Sequence, residues 1–152
     1  MKVSPFRICL SALVLLVVAA FPAMAFEDGA IKHRQAVMKA VGGHMGAMAA
    51  IVKKQVPFTK DLSGHAHAMA ELAKIAARVF PEGSNFGETR AKEEIWSQPK
   101  EFAKVVEAFI VESDKLAKVA KSADIAAFRA QFKAVGKNAC GACHKKFREK
   151  KK

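Results

Sequence analysis

Apolar residues recur at the three- and four-residue spacing of an amphipathic helix in four separate segments of this 152-residue chain. No segment alternates between apolar and polar residues as a β-strand does, and prolines and other turn residues separate the four stripes. Helices with one apolar face each are stable when these faces meet in a shared core. The pattern predicts an all-α fold, an up-down-up-down four-helix bundle with helices over residues 28–55, 61–80, 99–120 and 125–147.

Two local features refine this prediction. Residues 81–99 hold the turn-forming residues of a long crossing loop, and the apolar pair Ile95 and Trp96 within it is expected to pin the loop to the bundle. Gly42 and Gly43 interrupt the middle of the first helix, where a glycine costs about 1 kcal/mol against alanine. We therefore expect another helix to pack close to the backbone at these glycines.

The first 25 residues have the organisation of a cleavable secretory signal peptide. A short basic start precedes an apolar run over residues 8–21 and a small-residue cleavage pattern at residues 23–25. Because the apolar run is shorter than the about 20 residues that span a membrane, an uncleaved anchor is the less favoured alternative. We expect cleavage to leave residues 26–152 as a single domain in the periplasm, with no stable membrane span.

The chain is strongly basic, with 26 lysines and arginines against 14 aspartates and glutamates and a net charge of +12. Removing residues 1–25 takes away two basic and no acidic residues, so the net charge of the mature protein is still +10. Such a charge attracts acidic partners over long distances but does not identify a function. Six of the basic residues lie between positions 145 and 152.

Near the C-terminus, Cys140-Gly141-Ala142-Cys143-His144 has the C-x-x-C-H pattern by which c-type haem is attached. On a helix, thiols at positions i and i+3 share a face, so each can add to one vinyl group of the same porphyrin. Gly141 and Ala142 leave the backbone open beside the macrocycle. Export agrees with this interpretation, because haem is coupled to such motifs outside the cytoplasm. Cys140 and Cys143 are predicted to carry one covalent haem c, with His144 as the proximal iron ligand.

Other uses of the cysteine pair remain open, namely a disulfide, a thioredoxin-like redox pair or part of a zinc site. A redox pair normally begins a helix after a strand, whereas this pair lies near the end of the last helix. A zinc site needs further ligands, and His65 and His67, two residues apart, point to different faces of a helix. We expect both of these residues, like His33 and His44, to be solvated.

The signal peptide, the four helices and a C-x-x-C-H motif close to the C-terminus resemble the class II cytochromes c, the cytochrome c′ family. The resemblance implies that Arg34 and Gln35 lie beside the haem and its propionates, that Met38 lies on the distal side of the iron, and that the first two helices can form a homodimer. The similarity extends over residues 27–150 and includes Arg34-Gln35 with Met38, Gly43-His44-Met45 and Ile95-Trp96-Ser97.

The family contains five-coordinate high-spin proteins and low-spin relatives with a methionine ligand, so the methionines of the first helix bear on function. In an antiparallel bundle Met38 comes level with residues 138–144 of the last helix. Met45 and Met48 lie roughly 10 to 15 Å further along the axis at about 1.5 Å per residue. Met38 alone is placed to reach the iron. Arg34 lies one turn before it on the same face and can pair with a propionate.

These residues predict an exported electron carrier that cycles between Fe(III) and Fe(II), with His144 as proximal and Met38 as distal ligand. Basic residues after the motif would steer acidic periplasmic redox proteins, and no nucleic-acid partner is expected. The alternative is a five-coordinate cytochrome c′ that binds nitric oxide or carbon monoxide as a scavenger or sensor. A third hypothesis, a haem-free bundle with a structural metal, predicts a colourless protein. No arrangement of general acid, base or nucleophile indicates an enzyme.

Overall fold

Helices form the scaffold of the protein, and they follow one another as the apolar stripes predict. In the computed structural model the backbone is described for residues 5–122 and 124–150, and the side chains for residues 26–122 and 124–150. The helices are α1 (Pro5–Val52), α2 (Leu62–Ala76), α3 (Glu94–Ser97), α4 (Pro99–Val119), α5 (Ile125–Ala134) and α6 (Ala142–Phe147), with a 3-10 turn at Thr59–Asp61 and a π-helical segment at Val135–Gly141.

Sequential packing joins the helices into a four-helix bundle, which confirms the predicted fold class. Helix α1 packs on α2, α2 packs on α4, and α4 packs on the continuous helical run from α5 to α6. Burying a large apolar side chain is worth about 1.5 to 3 kcal/mol, so the shared core is the main stabilising feature of the bundle. The most deeply buried members of this core are Met48, Ala66, Met69, Leu116, Phe128 and Val135.

A second, smaller apolar cluster fixes the connection between α2 and α4. Ile95 of α3, Phe102 of α4 and Phe147 of α6 are buried together there, with Phe80 and Trp96 packed against them. The ring of Phe102 meets those of Phe80 and Phe147 edge to face, with centroids 4.9 and 5.3 Å apart. The prediction that Ile95 and Trp96 pin the crossing loop is confirmed.

Helix α2 ends at Ala76, four residues earlier than the stripe through Phe80 predicts. Pro81 prevents the helix from continuing past Phe80, because a proline lacks a backbone N–H and disfavours helical backbone angles at the residue before it. Its carbonyl accepts hydrogen bonds from Trp96 Nε1 at 3.1 Å and from Ser84 Oγ at 2.8 Å. The end of α2 therefore unwinds into a loop that is tied back to the bundle.

The last helix contains a wide π-helical segment that the apolar stripe does not reveal. A Cβ atom on Gly141 would lie 3.1 Å from the carbonyl oxygen of Gly136, which is tighter than ordinary packing. Gly141 thus makes room for the backbone of the chain itself in addition to leaving the motif uncovered. π-helical turns occur often at functional sites. This segment contains Cys140 and Gly141, so the haem motif begins inside it.

The glycine pair of α1 does not make the close contact that the sequence suggests. Outside α1 itself, nothing in the described part of the chain lies within 4 Å of a Cβ atom built on Gly42 or Gly43. Both glycines lie on the exposed side of the helix, while Val41 and Met48 occupy its buried side. The expectation of a close helix contact is therefore wrong within one chain, and the homodimer through α1 and α2 stays a prediction.

The signal-peptide prediction concerns residues 1–25, whose side chains lie outside the described residues. Among the residues that are described, no helix combines the length and the apolar character needed to cross a membrane. The predicted end of the first helix near Gln55 is close to the observed end at Val52, after which Lys54 takes a φ of 59°.

Candidate haem site

One cavity of about 630 Å³ brings the chemically interesting parts of the chain together. Its size lies in the range of roughly 300 to 1,000 Å³ that is typical of ligand pockets. Its apolar walls come from α3 and α4, and from Ala76 at the end of α2 and Phe80 shortly after it. All six residues that the sequence singles out for the site line this cavity: Arg34, Gln35, Met38, Cys140, Cys143 and His144.

The two cysteines of the motif are half-buried free thiols that face this common space. Burial raises the pKa of the Cys140 thiol, and it raises the pKa of Cys143 to about 11 with a smaller contribution from the neighbouring Cys140. Both groups are therefore protonated thiols near neutral pH. A disulfide, one of the alternatives for this pair, is absent from this part of the described structure.

His144 lies beside two arginines at the edge of the cavity. Burial lowers the pKa of His144, and the positive charges of Arg148 and Arg90 lower it further. The imidazole is thus neutral near pH 7 and keeps the lone pair that a metal ligand needs. Lys39 and Arg34 also line the cavity, so four cationic side chains stand against the single carboxylate of Glu88 and the cavity attracts carboxylate groups.

Of the three methionines of α1 whose side chains are described, one reaches the cavity. Met38 lines it, whereas Met48 is fully buried in the bundle core and Met45 packs against that core. This placement agrees with the spacing argument, in which a rise of about 1.5 Å per residue separates the later methionines from the motif. The cavity therefore offers one thioether sulfur from α1.

Arg34 lines the cavity, but its hydrogen bonds run to the loop between α2 and α3. Its Nη1 donates to Ser84 Oγ at 2.8 Å, and its Nη2 donates to the Ser84 carbonyl at 2.9 Å and to Thr89 Oγ1 at 2.8 Å. The guanidinium also lies 5.0 Å from the ring centre of Phe80. Its pairing with a haem propionate stays a prediction. Gln35 is similarly engaged, since its Nε2 donates to the Glu88 carbonyl at 2.7 Å.

His44 and His65 form a contact that the sequence does not suggest. Their Nδ1 atoms lie 2.9 Å apart and join α1 to α2, and both rings are partly buried. The expectation that these two histidines are separately solvated is therefore wrong, while His33 and His67 are exposed as expected. No local pattern could reveal the pair, because the two residues are 21 positions apart and meet only through helix packing.

A family model described as Cytochrome C′ matches residues 29–148, nearly all of the described chain. The chain belongs to the cytochrome c′ family. It is 33% identical over 126 residues to the cytochrome c′ of Pararhodospirillum photometricum, covering 82% of this chain and 100% of that protein. It is also 33% identical to a cytochrome c-556 of Agrobacterium tumefaciens (strain II Chrys), covering 81% of this chain and 99% of that protein.

Solved structures of cytochrome c′ show the same fold. A ferrous variant of the protein from Alcaligenes xylosoxidans with bound nitric oxide superposes with a TM-score of 0.76 at 30% identity, covering 82% of this chain and 97% of that one. A carbon monoxide-bound variant of the same protein gives a TM-score of 0.75 at 30% identity and the same coverage. The cytochrome c′ of Rubrivivax gelatinosus gives 0.74 at 31% identity, covering 79% of this chain and 94% of that one.

Cytochrome c′ family proteins carry covalent haem c, and the residues present here fit that cofactor. Two free thiols three residues apart and a neutral imidazole face one cavity with apolar walls, and the cations at its edge suit the two carboxylates of the macrocycle. The haem c prediction is therefore confirmed. Within the described residues, no group of three metal-ligating side chains forms around Cys140 and Cys143.

Proposed function

We propose that this protein binds a small diatomic gas, nitric oxide or carbon monoxide, at haem held by Cys140, Cys143 and His144. The observation that carries the proposal is that variants of one relative with this fold, the cytochrome c′ of Alcaligenes xylosoxidans at 30% identity, hold nitric oxide and carbon monoxide. When bound, haem c supplies an iron atom that can take a diatomic ligand. We propose a binding role rather than a catalytic one.

Different residues of the chain would hold the cofactor and shield it from water. The thiols of Cys140 and Cys143 would each add across one vinyl group of the macrocycle, with the sulfur bonding to one vinyl carbon and the thiol proton passing to the other. Neutral His144 would donate its lone pair to iron. Val105, Val106 and Phe109 of α4 would exclude water from the interior. A weakly polar gas needs no hydrogen-bond donor to enter such an apolar space, whereas ions and water are disfavoured there.

Visible spectra of the matured holoprotein test the proposed function. We expect a high-spin spectrum in both oxidation states and a shift of the ferrous spectrum on addition of carbon monoxide. A low-spin spectrum in both states that carbon monoxide does not change would contradict gas binding. A colourless protein would contradict the interpretation that this protein carries haem.

Electron transfer is the second candidate function, and the position of Met38 favours it. Met38 is the methionine of α1 that lines the cavity, and a thioether ligand stabilises Fe(II) and raises the reduction potential. In this case the basic rim formed by Lys39, Arg90 and Arg148 would guide acidic redox partners. Lys145, next to the motif in the sequence, is exposed, and Lys146 lies 3.8 Å from Glu101.

If this basic rim steers anionic partners, oxidation of the ferrous protein by ferricyanide should slow as ionic strength rises. Charges are screened beyond about 10 Å at 0.1 M salt, and electrostatic steering accelerates association by about tenfold or more. Stopped-flow rates over a salt series measure the effect. Arg90→Glu should weaken the salt dependence of the rate. Lys121→Glu, which changes a residue just after the C-terminal end of α4 and outside the cavity lining, should leave that dependence nearly unchanged. Equal effects of the two variants would show that only the net charge matters.

We propose that the protein is exported to the periplasm and cleaved after Ala25. The basic start, the apolar run and the small residues at positions 23–25 support export and cleavage, and haem attachment outside the cytoplasm requires export. The intact mass of the protein from a periplasmic fraction should correspond to residues 26–152 plus one haem. A mass that retains residues 1–25 would contradict cleavage.

A further inference from the structure

One wall of the cavity is a loop rather than a helix. Residues 87–91 line the cavity consecutively, and they belong to the connection between α2 and α3. We call residues 84–92 the wall loop. Loops are usually among the most mobile parts of a protein, and Gly87 has a φ of +80°, which a side chain rarely adopts. The wall loop can keep its place only if groups from outside the loop hold it.

On one side, Arg34 of α1 fastens the wall loop. Its two terminal nitrogens donate to Ser84 Oγ, to the Ser84 carbonyl and to Thr89 Oγ1, all at 2.8 to 2.9 Å. These bonds hold both halves of the loop, since Ser84 begins it and Thr89 lies at the cavity. Thr89 Oγ1 also accepts the N–H of Ala91 at 3.1 Å, which braces the loop internally.

On the other side, the segment after the haem motif fastens the same loop. The N–H of Lys92 donates to the Phe147 carbonyl at 3.1 Å, and the N–H of Glu149 donates to the Arg90 carbonyl at 2.8 Å. These two bonds form an isolated antiparallel bridge. The wall loop is thus attached both to the helix that carries Met38 and to the segment that follows His144.

The burial of Arg34 indicates that these bonds matter more than surface contacts. Only 4% of Arg34 is exposed. Among the described residues it donates hydrogen bonds to neutral oxygens and lies over aromatic rings, and it does not pair with a carboxylate. A buried cation is costly unless its donors are satisfied. Ser84, which is fully buried, accepts from Arg34 and donates to the Pro81 carbonyl. The hydrogen-bonded chain therefore runs from α1 through Ser84 to the residues that follow α2.

We infer that Arg34 is a positioning residue that holds the wall loop against α1 and thereby limits the access of small molecules to haem. Arg34 acts through Ser84 and Thr89, and it needs no direct contact with the cofactor for this role. The inference rests on haem in the cavity, which the family shows, and it holds whether the iron binds a gas or Met38.

The test compares Thr89→Val, which removes the oxygen acceptor at nearly constant shape, with Thr89→Ser, which keeps it. In Thr89→Val holoprotein we expect the amides of Lys92 and Glu149 to exchange with solvent about ten- to hundredfold faster, mainly through loss of the bond from the charged Arg34 and to a smaller extent through loss of the bond from the Ala91 N–H. Amides of Met69 and Leu116 in the core should exchange as in the wild type. Ser97→Ala, which removes an exposed hydroxyl outside the loop, is the control for any hydroxyl loss.

The second readout is the association rate of carbon monoxide with the ferrous holoprotein. This rate should rise in Thr89→Val and stay near the wild-type value in Thr89→Ser and Ser97→Ala. If loop and core amides accelerate equally in Thr89→Val, Arg34 serves only global stability and the inference fails. It also fails if the loop opens while the association rate is unchanged, or if Thr89→Ser behaves like Thr89→Val. A low-spin wild-type spectrum would contradict the proposed gas binding. The exchange comparison alone would then decide the inference, because it does not depend on the sixth ligand, whereas the carbon monoxide rate would report dissociation of Met38.

Discussion

The double variant Cys140→Ala with Cys143→Ala is expected to lose covalent haem and, with it, most of its cooperative fold. An unfilled cavity costs about 24 cal/mol per Å³, so the cavity of about 630 Å³ corresponds to an upper value on the order of 15 kcal/mol. The cavity is open to solvent at one edge, which reduces this cost, but a whole domain has only about 5 to 15 kcal/mol of stability. Thermal unfolding followed by circular dichroism measures the loss.

Two kinds of control separate haem loss from damage to the helix. Asn138→Ala changes an exposed residue of the same π-helical segment and should retain haem and the wild-type unfolding temperature. Each single cysteine variant leaves one thiol to bond with the macrocycle and should be intermediate. A haem-free double variant that unfolds cooperatively at the wild-type temperature would show that the bundle does not depend on the cofactor.

Replacing Met38 by alanine is expected to speed the association of carbon monoxide with the ferrous protein by about tenfold. Met38 lines the cavity, and removing its side chain beyond Cβ widens the space into which a gas must move. A tenfold rate change corresponds to about 1.4 kcal/mol in the barrier, which is modest for the removal of a side chain from a packed wall. Met38→Leu keeps the volume of the side chain and should change the rate by less than about twofold.

The same pair of variants separates a steric role from ligation. If Met38 is an iron ligand, the wild type is low-spin, and both Met38→Leu and Met38→Ala become high-spin with a lower reduction potential. That outcome would replace gas binding by electron transfer as the function. Met45→Leu is the matched control, because Met45 lies about two helical turns further along α1, packs against the bundle core and should leave spectrum and rate unchanged.

The haem motif and the choice of Met38 among the methionines could be predicted because both follow from local regularities. The motif is a contiguous pattern of five residues, and the relative heights of Met38, Met45 and Met48 follow from the constant rise of a helix. The partners of Arg34 could not be predicted in the same way. Ser84 lies 50 residues from Arg34 and Thr89 lies 55 residues away, and both reside in a loop without periodicity.

The sequence by itself determined the helical stripes, the four-helix class and the haem-attachment motif, because each depends on residues that are neighbours along one helix. Tertiary structure decided where α2 ends, where the π-helical segment lies, and that His44 meets His65 rather than solvent. It also decided that Arg34 donates to the wall loop. A buried guanidinium binds whichever acceptors packing brings within reach, and packing depends on how the whole chain closes around the cavity.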